Sequence, residues 1–471
     1  MHTQLAVLGG GPGGYAAAFL AADEKLEVTL VEEHAQLGGT CLLRGCIPSK
    51  ALLHVARVIA EVEELRGEWG IAFGQPTIDL ERLRARKEKL VATLTGGLKQ
   101  LAKRRNVRVI QAKGIFEDSG TLRLEGEAIP EGGRLTYDHL ILATGSTPWI
   151  PPSFSVDSPR VMDSTAALEL ADIPATLLVI GGGYIGLELG SVYARLGSQV
   201  SVVELTDGLL PGADRDLVRP LHRRLQALFG ERIYLNTKVG SIGERNGAVE
   251  VAFEGPGKYG VERYDRVLVS VGRRPNSRGL GLEKTQVQVD PRGFVVCDGQ
   301  RRTADPRILA IGDVAGEPML AHKATHEAKT AVDVVLGRDA EFRKRAIPAV
   351  VFTDPEIAWA GLTEDQARRE GRAFETAVYP WGASGRAQSL GRVEGLTKWL
   401  VDPACERVIG CGIVGPGAGE LISEAVLAIE MGCEVRDVCE SIHPHPTLSE
   451  TLMNAAEVFF GTATEIYKPR R

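Results

Sequence analysis

No stretch of this 471-residue chain reaches the roughly 18 consecutive apolar residues of a membrane span, so no transmembrane helix is expected. No leader is expected either. The apolar run Leu5–Leu8 begins within a few residues of Met1, and the chain reads as cytoplasmic, or as a matrix protein without its presequence. Charge of one sign is also missing: a net charge of -6 and a pI near 6.0 leave no basic footprint for nucleic acid. Cysteine is scarce, and its seven copies, an odd number, do not make a secreted disulfide framework. In a reducing compartment a persistent disulfide is usually catalytic or redox-sensing. What remains is a globular composition, 44% hydrophobic and 25% charged, on a chain long enough for about three domains.

Two glycine-rich turns organise it. Leu5–Leu8 runs into Gly9-Gly10-Gly11-Pro12-Gly13-Gly14, an alanine-rich helix, and a strand from Val28 to Val31 ending at Glu32. Residues 177–180 repeat the scheme with Gly181-Gly182-Gly183-Tyr184-Ile185-Gly186, a helix, and Val200–Val203 ending at Glu204. The offset from first glycine to acid is 23 residues in both copies, close to the roughly 20 of a dinucleotide fingerprint, so the chain carries an internal duplication of βαβ units. In each, glycines allow close approach of a pyrophosphate to a helix N-terminus, and the acid can accept from a ribose hydroxyl. After Glu204 come Leu205, Thr206 and Asp207, with no arginine for a 2′-phosphate, which favours NAD over NADP.

Between the copies, Lys50–Arg66 and Asp79–Arg105 show helical periodicity; the second carries Leu83, Leu90, Leu94, Leu98 and Leu101 as a packing or coiled-coil seam and is expected to break at Gly96-Gly97. Pro148–Pro152 and Arg273–Asn276 mark the expected domain crossings, and the part after Ala346 reads as α+β. Asp313, after the apolar run Arg307–Ile311, sits where it could accept from a ribityl hydroxyl or cap a helix.

Cys41 and Cys46 follow the first fingerprint closely. A disulfide needs Cα atoms about 4.4–6.8 Å apart, whereas five steps of regular helix rise about 7.5 Å, so closure requires a distorted segment, and Gly45 supplies a permissive backbone there. From spacing alone, two ordinary buried cysteines or half a zinc site fit as well. A thiol couple beside a nicotinamide site would need a mediator between hydride and disulfide chemistry, and flavin does both. Cys433, Cys439, His443 and His445 fall within 13 residues but in no common zinc spacing, so no metal site is expected. Cys297, Cys405 and Cys411 read as packing residues.

Gly38-Gly-Thr-Cys-Leu-Leu-Arg-Gly-Cys-Ile-Pro-Ser-Lys50, Ala143-Thr-Gly145, Gly181–Gly186, Gly272-Arg-Arg-Pro-Asn276, Ile311-Gly-Asp313, Leu320-Ala-His322 and His443-Pro-His-Pro-Thr-Leu-Ser-Glu450 together resemble the flavoprotein disulfide reductases over essentially the whole chain, and among them the branch that oxidises protein-bound dihydrolipoamide with NAD. The resemblance implies an α/β fold of two Rossmann-like domains plus a C-terminal α+β dimerisation domain: FAD in 1–147, NAD in 148–276, a central segment 277–346 completing the FAD domain, and an interface domain at 347–471. It implies Cys41 as interchange thiol, Cys46 as the thiol facing the flavin, Lys50 with Glu188 as an ion pair near the ring, and His445 with Glu450 contributed by the other subunit of a homodimer. For FAD it implies Gly9, Gly11, Pro12, Gly14, Glu32, Gly39, Thr40, Lys50, Gly114, Thr144, Gly145, Asp313 and Ala321. For NAD it implies Gly181, Gly183, Tyr184, Ile185, Gly186, Glu204, Val239 and Gly272. The implied partner is a lipoyl-bearing acyltransferase (E2) or H-protein.

The chain departs from the family pattern at Leu43-Arg44, where Asn-Val is usual, and at Pro444, where Ala is usual. Arg44 would favour the Cys41 thiolate if it points inward. Glutathione-type reductases would show phosphate-binding arginines near the second acid, mercuric reductases a terminal cysteine pair that the tail 466–471 lacks, and a soluble transhydrogenase no dithiol. A redox-inert flavoprotein acting as a binding module is the alternative from a different class.

Overall fold

The computed structural model describes residues 1–127 and 129–467. Its first sheet grows from β1 (His2–Leu8) and β2 (Val28–Glu32), which pair in parallel around the first glycine turn. Leu5–Leu8 is buried on both faces, which explains its unbroken apolar run. β3 (Arg108–Gln111) extends the sheet beyond β2, and Arg134–Leu142 lies parallel to β1 on its other side. The strand Ile308–Ala310 returns to pair in parallel with Leu140–Leu142, so the chain leaves this sheet, builds the next, and comes back.

The second sheet is wholly parallel, ordered Ile233–Tyr234, Gln199–Val203, Thr176–Ile180, Arg266–Val269, Val161–Met162. An antiparallel meander, Lys238–Arg245, Ala248–Glu254 and Gly260–Tyr264, packs beside it. Ser146–Pro148 runs antiparallel to Arg273–Pro275, so the first expected crossing, Pro148–Pro152, takes part only through Pro148 and the second through Arg273–Pro275. The C-terminal part is a five-stranded antiparallel sheet covered by helices including Ala418–Met431 and Glu450–Phe460, the expected α+β layer.

The helices are α1 (Pro12–Asp23), α2 (Gly39–Arg44), α3 (Cys46–Glu68) and α4 (Leu80–Arg104) in the first part of the chain. Small residues on α1 bring it against the helix Ala321–Val335: a Cβ on Gly13 would lie 3.2 Å from Ala324 Cβ. α4 is capped by Asp79, whose side chain accepts from Arg82 N–H, and it runs unbroken through Gly96-Gly97, against expectation. Each glycine costs a helix about 1 kcal/mol. Leu83 near the start of the helix and Leu98 just after the glycines pack on two different cores, and the glycines meet no neighbour, so nothing is gained by a kink. Leu94 and Leu101 stay exposed, so only part of the leucine seam packs within the chain.

A buried cation joins the second Rossmann unit to the C-terminal sheet. Lys398 is fully buried, and its Nζ stands 2.8 Å from each of Asp214, Asp216 and Glu364. These three carboxylates would otherwise face one another within metal-binding reach. Removing the ammonium leaves them uncompensated in low dielectric. Lys398→Ala is therefore expected to lower the unfolding free energy by about 3–5 kcal/mol; denaturant titration that finds less than about 1 kcal/mol would show the cluster to be solvated or protonated instead.

Candidate active site

The first glycine turn and the return strand enclose a cavity of about 920 Å³, near the top of the ~300–1,000 Å³ range of small-molecule sites. Gly9, with φ +107, lies against the backbone of Ala143, where a Cβ would sit 2.3 Å from its carbonyl oxygen. α1 begins at Gly11 with no side-chain cap and Pro12 in its first turn, which leaves its amide N–H groups free to meet phosphate. Gly14 is outside the cavity wall; it lets α1 approach Gly9, whose carbonyl a Cβ would strike. Glu32 is buried at the end of β2, and its carboxylate accepts from Gly10 N–H at 2.5 Å and His34 N–H at 2.9 Å. The acid therefore holds the glycine turn as well as facing the cavity.

Gly39, Thr40, Cys41, Cys46, Lys50, Gly114, Thr144, Gly145, Asp313 and Ala321 also line this space. Asp313 lies in a tight turn, Gly312–Ala315, and caps no helix; its Oδ2 accepts from Ser146 Oγ at 2.5 Å. Arg273 Nε donates in turn to Ser146 Oγ at 2.8 Å. Ser146 carried no distinguishing signal in the sequence.

The dithiol sits where α2 ends and α3 begins. Gly45 is the joint, with φ -146 and ψ -112, and a Cβ there would be 2.7 Å from Thr40 O. The break required for the two cysteines to meet is therefore built around a residue without a side chain. Cys41 and Cys46 both lie on the cavity wall, on either side of this joint. Cys41 keeps its proton and donates it to the Cys46 sulfur; this hydrogen bond, then burial, raises the Cys41 pKa. The same bond lowers Cys46 to about 7 against the opposing effect of burial, with Lys50 adding to the fall. Cys46 is also the first residue of α3, where the helix dipole favours an anion.

Lys50 Nζ donates to Glu188 Oε2 at 2.8 Å, and Glu188 Oε1 accepts from Phe352 N–H at 3.0 Å. The ammonium also stands 4.4 Å from the centroid of the Phe352 ring. Phe352, far off in sequence, was not foreseen. Tyr15 was missed too; burial raises its hydroxyl pKa, and the two neighbouring sulfurs raise it further. Arg44 does not turn toward the thiols: its guanidinium meets His34 on the cavity wall, and Lys50 is the cation that acts on them.

The second glycine turn repeats the first. Gly181 has φ +106, a Cβ on Gly186 would be 2.5 Å from Gly181 O, and the helix Tyr184–Leu196 begins at Gly183 without a side-chain cap. Glu204 Oε2 accepts from Gly182 N–H at 2.7 Å, as Glu32 does in the first copy. Gly183 and Gly272 face open space, whereas Val239 is buried in the core shared by the meander and the parallel sheet. Tyr184 and Ile185 reach the large cavity, so the two dinucleotide units meet there.

His445 and Glu450 are absent from the cavity wall of their own chain. His445 Nδ1 lies 2.9 Å from Glu450 Oε1, and Glu450 Oε2 accepts from Thr447 N–H at 2.7 Å. The His445 side chain is 78% exposed. Its neighbour His443 turns to Glu424 at 2.7 Å. Cys433 and Cys439 pack against the C-terminal core. Cys411 is buried there, but Cys405 is exposed and is not a packing residue. No helix among the described residues is long and apolar enough to cross a membrane.

Residues 3–328 match the family model for pyridine nucleotide-disulphide oxidoreductase, and residues 347–456 match the dimerisation domain of the same family. Dihydrolipoyl dehydrogenase of Vibrio cholerae is 47% identical over 99% of this chain and 97% of its own length. That of Bacillus subtilis is 42% identical over 99% and 98%. Among solved structures, LpdA from Mycobacterium tuberculosis superposes with a TM-score of 0.87 at 28% identity, covering 97% of this chain and 99% of its own. The flavoprotein disulfide reductase RclA from Escherichia coli gives 0.86 at 29% identity over 97% and 99%. With its paired thiols on the wall of a glycine-cradled cavity and its second dinucleotide unit alongside, the chain belongs to the pyridine nucleotide-disulphide oxidoreductases, and its cofactors are FAD and NAD.

Proposed function

We propose that the protein oxidises protein-bound dihydrolipoamide to lipoamide and reduces NAD, with FAD in the large cavity. The observation that carries this reading is the Cys41–Cys46 pair, set at a helix break on the cavity wall with its charge steered to one sulfur. We assign FAD to residues 1–147 with 277–346, NAD to 148–276, and the subunit interface to 347–471. The working form is a homodimer in the cytoplasm, partnered by a lipoyl-bearing acyltransferase or H-protein.

FAD supplies the conversion of a thiolate electron pair into a hydride for NAD. The residues of the chain do the rest. Gly9, Gly11, Pro12 and the first turn of α1 receive its diphosphate, Glu32 its adenosine ribose, and Asp313 its ribityl chain. In the oxidised protein, His445 of the partner subunit takes a proton from a substrate thiol, held in orientation by Glu450. The substrate sulfur attacks Cys41, the Cys41–Cys46 bond breaks, and Cys46 leaves as a thiolate. Its lowered pKa makes it the better leaving group. The histidine then passes that proton to Cys41 as it departs and takes the proton of the second substrate thiol, whose sulfur attacks the first substrate sulfur and releases lipoamide. The product of these steps, Cys41 protonated and Cys46 a thiolate, agrees with the direction of the two shifts, Cys41 raised and Cys46 lowered.

The pair should lose its first proton at an apparent value of about 7. Because that pKa is depressed, the thiolate is present above it and lost as pH falls through it. Alkylation of the reduced protein by iodoacetamide is expected to rise through this midpoint, and to rise later in Lys50→Met. A wild-type profile matching an ordinary thiol, at about 8.5, would sink the assignment.

His445→Gln and Cys41→Ser homodimers are each expected to lose about 100-fold or more in turnover of dihydrolipoamide. Hybrids refolded from the two together should regain activity, because one of their two sites then combines an intact dithiol with an intact partner histidine. Hybrids as inactive as their parents would place His445 outside the partner's site.

A further inference from the structure

Two buried charged side chains and a third at their rim lie outside the cavity wall, and neither the dithiol nor either dinucleotide fingerprint uses them. Lys323 and Glu327, one turn apart on the helix Ala321–Val335, are 3% and 1% exposed. Their ends meet at 3.1 and 3.2 Å, and Arg301 Nη1 donates to Glu327 Oε1 at 2.8 Å. None of the three lines the cavity. A buried ion cluster is weak support for stability, since apolar replacements of similar volume are often as good. Arg301 is moreover held at φ +65, a left-handed conformation that a non-glycine residue avoids without a reason.

The target of the cluster is one residue. Glu327 Oε2 accepts from Gly312 N–H at 2.6 Å, and Lys323 Nζ donates to Gly312 O at 3.2 Å. The peptide units on both sides of Gly312 are thereby pinned by charge-assisted hydrogen bonds. Gly312 has φ +75, and a Cβ there would press on Ala324 at 3.1 Å. The next residue is Asp313, whose carboxylate faces the cavity and is tied on its other side to Ser146.

We propose that Arg301, Glu327 and Lys323 form a positioning device for the cofactor: by locking Gly312 they hold Asp313 toward the ribityl chain and so set how tightly FAD is retained. The inference rests on the reading that FAD fills the large cavity. The cluster touches neither substrate nor cofactor and acts through Asp313 alone.

The test is FAD affinity, read from the visible spectrum of protein retained on ultrafiltration, in Glu327→Gln, Arg301→Gln and Asp313→Asn. Glu327→Gln is expected to raise the FAD dissociation constant at least about ten-fold, the size of one lost charge-assisted hydrogen bond. The KM for NAD should stay near wild type; the apoprotein melting temperature is expected to fall, because one partner of a buried pair is neutralised, so FAD retention is compared at a temperature where every apoprotein is folded. Glu327→Gln added to Asp313→Asn should weaken binding no further than Asp313→Asn alone, a coupling that a merely structural role would not produce. If the Glu327→Gln apoprotein does not fold, Arg301→Gln, on the rim of the cluster, carries the test with an expected several-fold rise. A folded variant of either kind that holds FAD as tightly as wild type overturns the proposal, as does a fully additive double variant. Wild-type protein that retains no flavin would overturn the cofactor reading itself, a distinguishable failure.

Discussion

The end-to-end meeting of two helices at Gly45 is the constraint on which the site depends. A continuous helix would carry Cys41 and Cys46 about 7.5 Å apart along its axis and place neither at a terminus. Breaking it at one residue brings the thiols into hydrogen-bond contact and makes Cys46 the first residue of a 23-residue helix. Geometry and electrostatics follow from the same break: the sulfurs can exchange partners, and the dipole of α3 acts on one of them only. The asymmetry in acidity rests first on the hydrogen bond between the two sulfurs, which the break allows to form. Thr40 O stands where a Cβ on residue 45 would go, so the joint tolerates no side chain without moving Cys41.

Lys50 extends that asymmetry across the molecule. It sits one turn into α3, its partner Glu188 belongs to the helix after the second glycine turn, and Glu188 is held by the amide of Phe352 from the C-terminal sheet region. A carboxylate almost wholly removed from water needs a partner on each oxygen, and here each comes from a different part of the chain. The ammonium that lowers the Cys46 pKa is thus fixed in place by the packing of all three layers. Lys398 does equivalent structural work between the second dinucleotide unit and the C-terminal part, where one cation compensates three acids, two from the former and one from the latter.

Both glycine turns, their acids, the crossing segments and the need for a distorted Cys41–Cys46 link were legible in the sequence because each is a local rule: a positive φ, a helix N-terminus, a ring-closure distance. What was not legible is long-range. Nothing near Phe352 or Ser146 in sequence announces that the first supplies an amide to Glu188 or that the second links Arg273 to Asp313. Arg44 was expected near the thiols on the strength of proximity along the chain, but a residue at the end of a short helix points along its own face, toward His34. Gly96-Gly97 read as a break because propensity favours one; the packing of Leu83 and Leu98 on separate cores outweighs about 2 kcal/mol of glycine cost. The leucines left exposed on α4 show the converse limit, since periodicity marks a face without saying what covers it.

The dyad of the C-terminal domain shows why one chain is half of the proposed site. Glu450 is already oriented by Thr447 N–H and already holds His445 by its Nδ1, so the imidazole needs no rearrangement to act as a base. Yet its side chain projects almost fully into solvent, and the thiols it would serve line a cavity built by other elements of the chain. A preformed base held out into water gains nothing within its own subunit: its acid partner is satisfied and no substrate sulfur can reach it beside Cys41. Placing that surface against a second copy supplies both missing elements at once, a dithiol for the base and exclusion of water from the pair. The order Glu450, His445, substrate sulfur, Cys41, Cys46 then becomes a sequence of groups in which a proton moves toward the histidine and an electron pair toward Cys46.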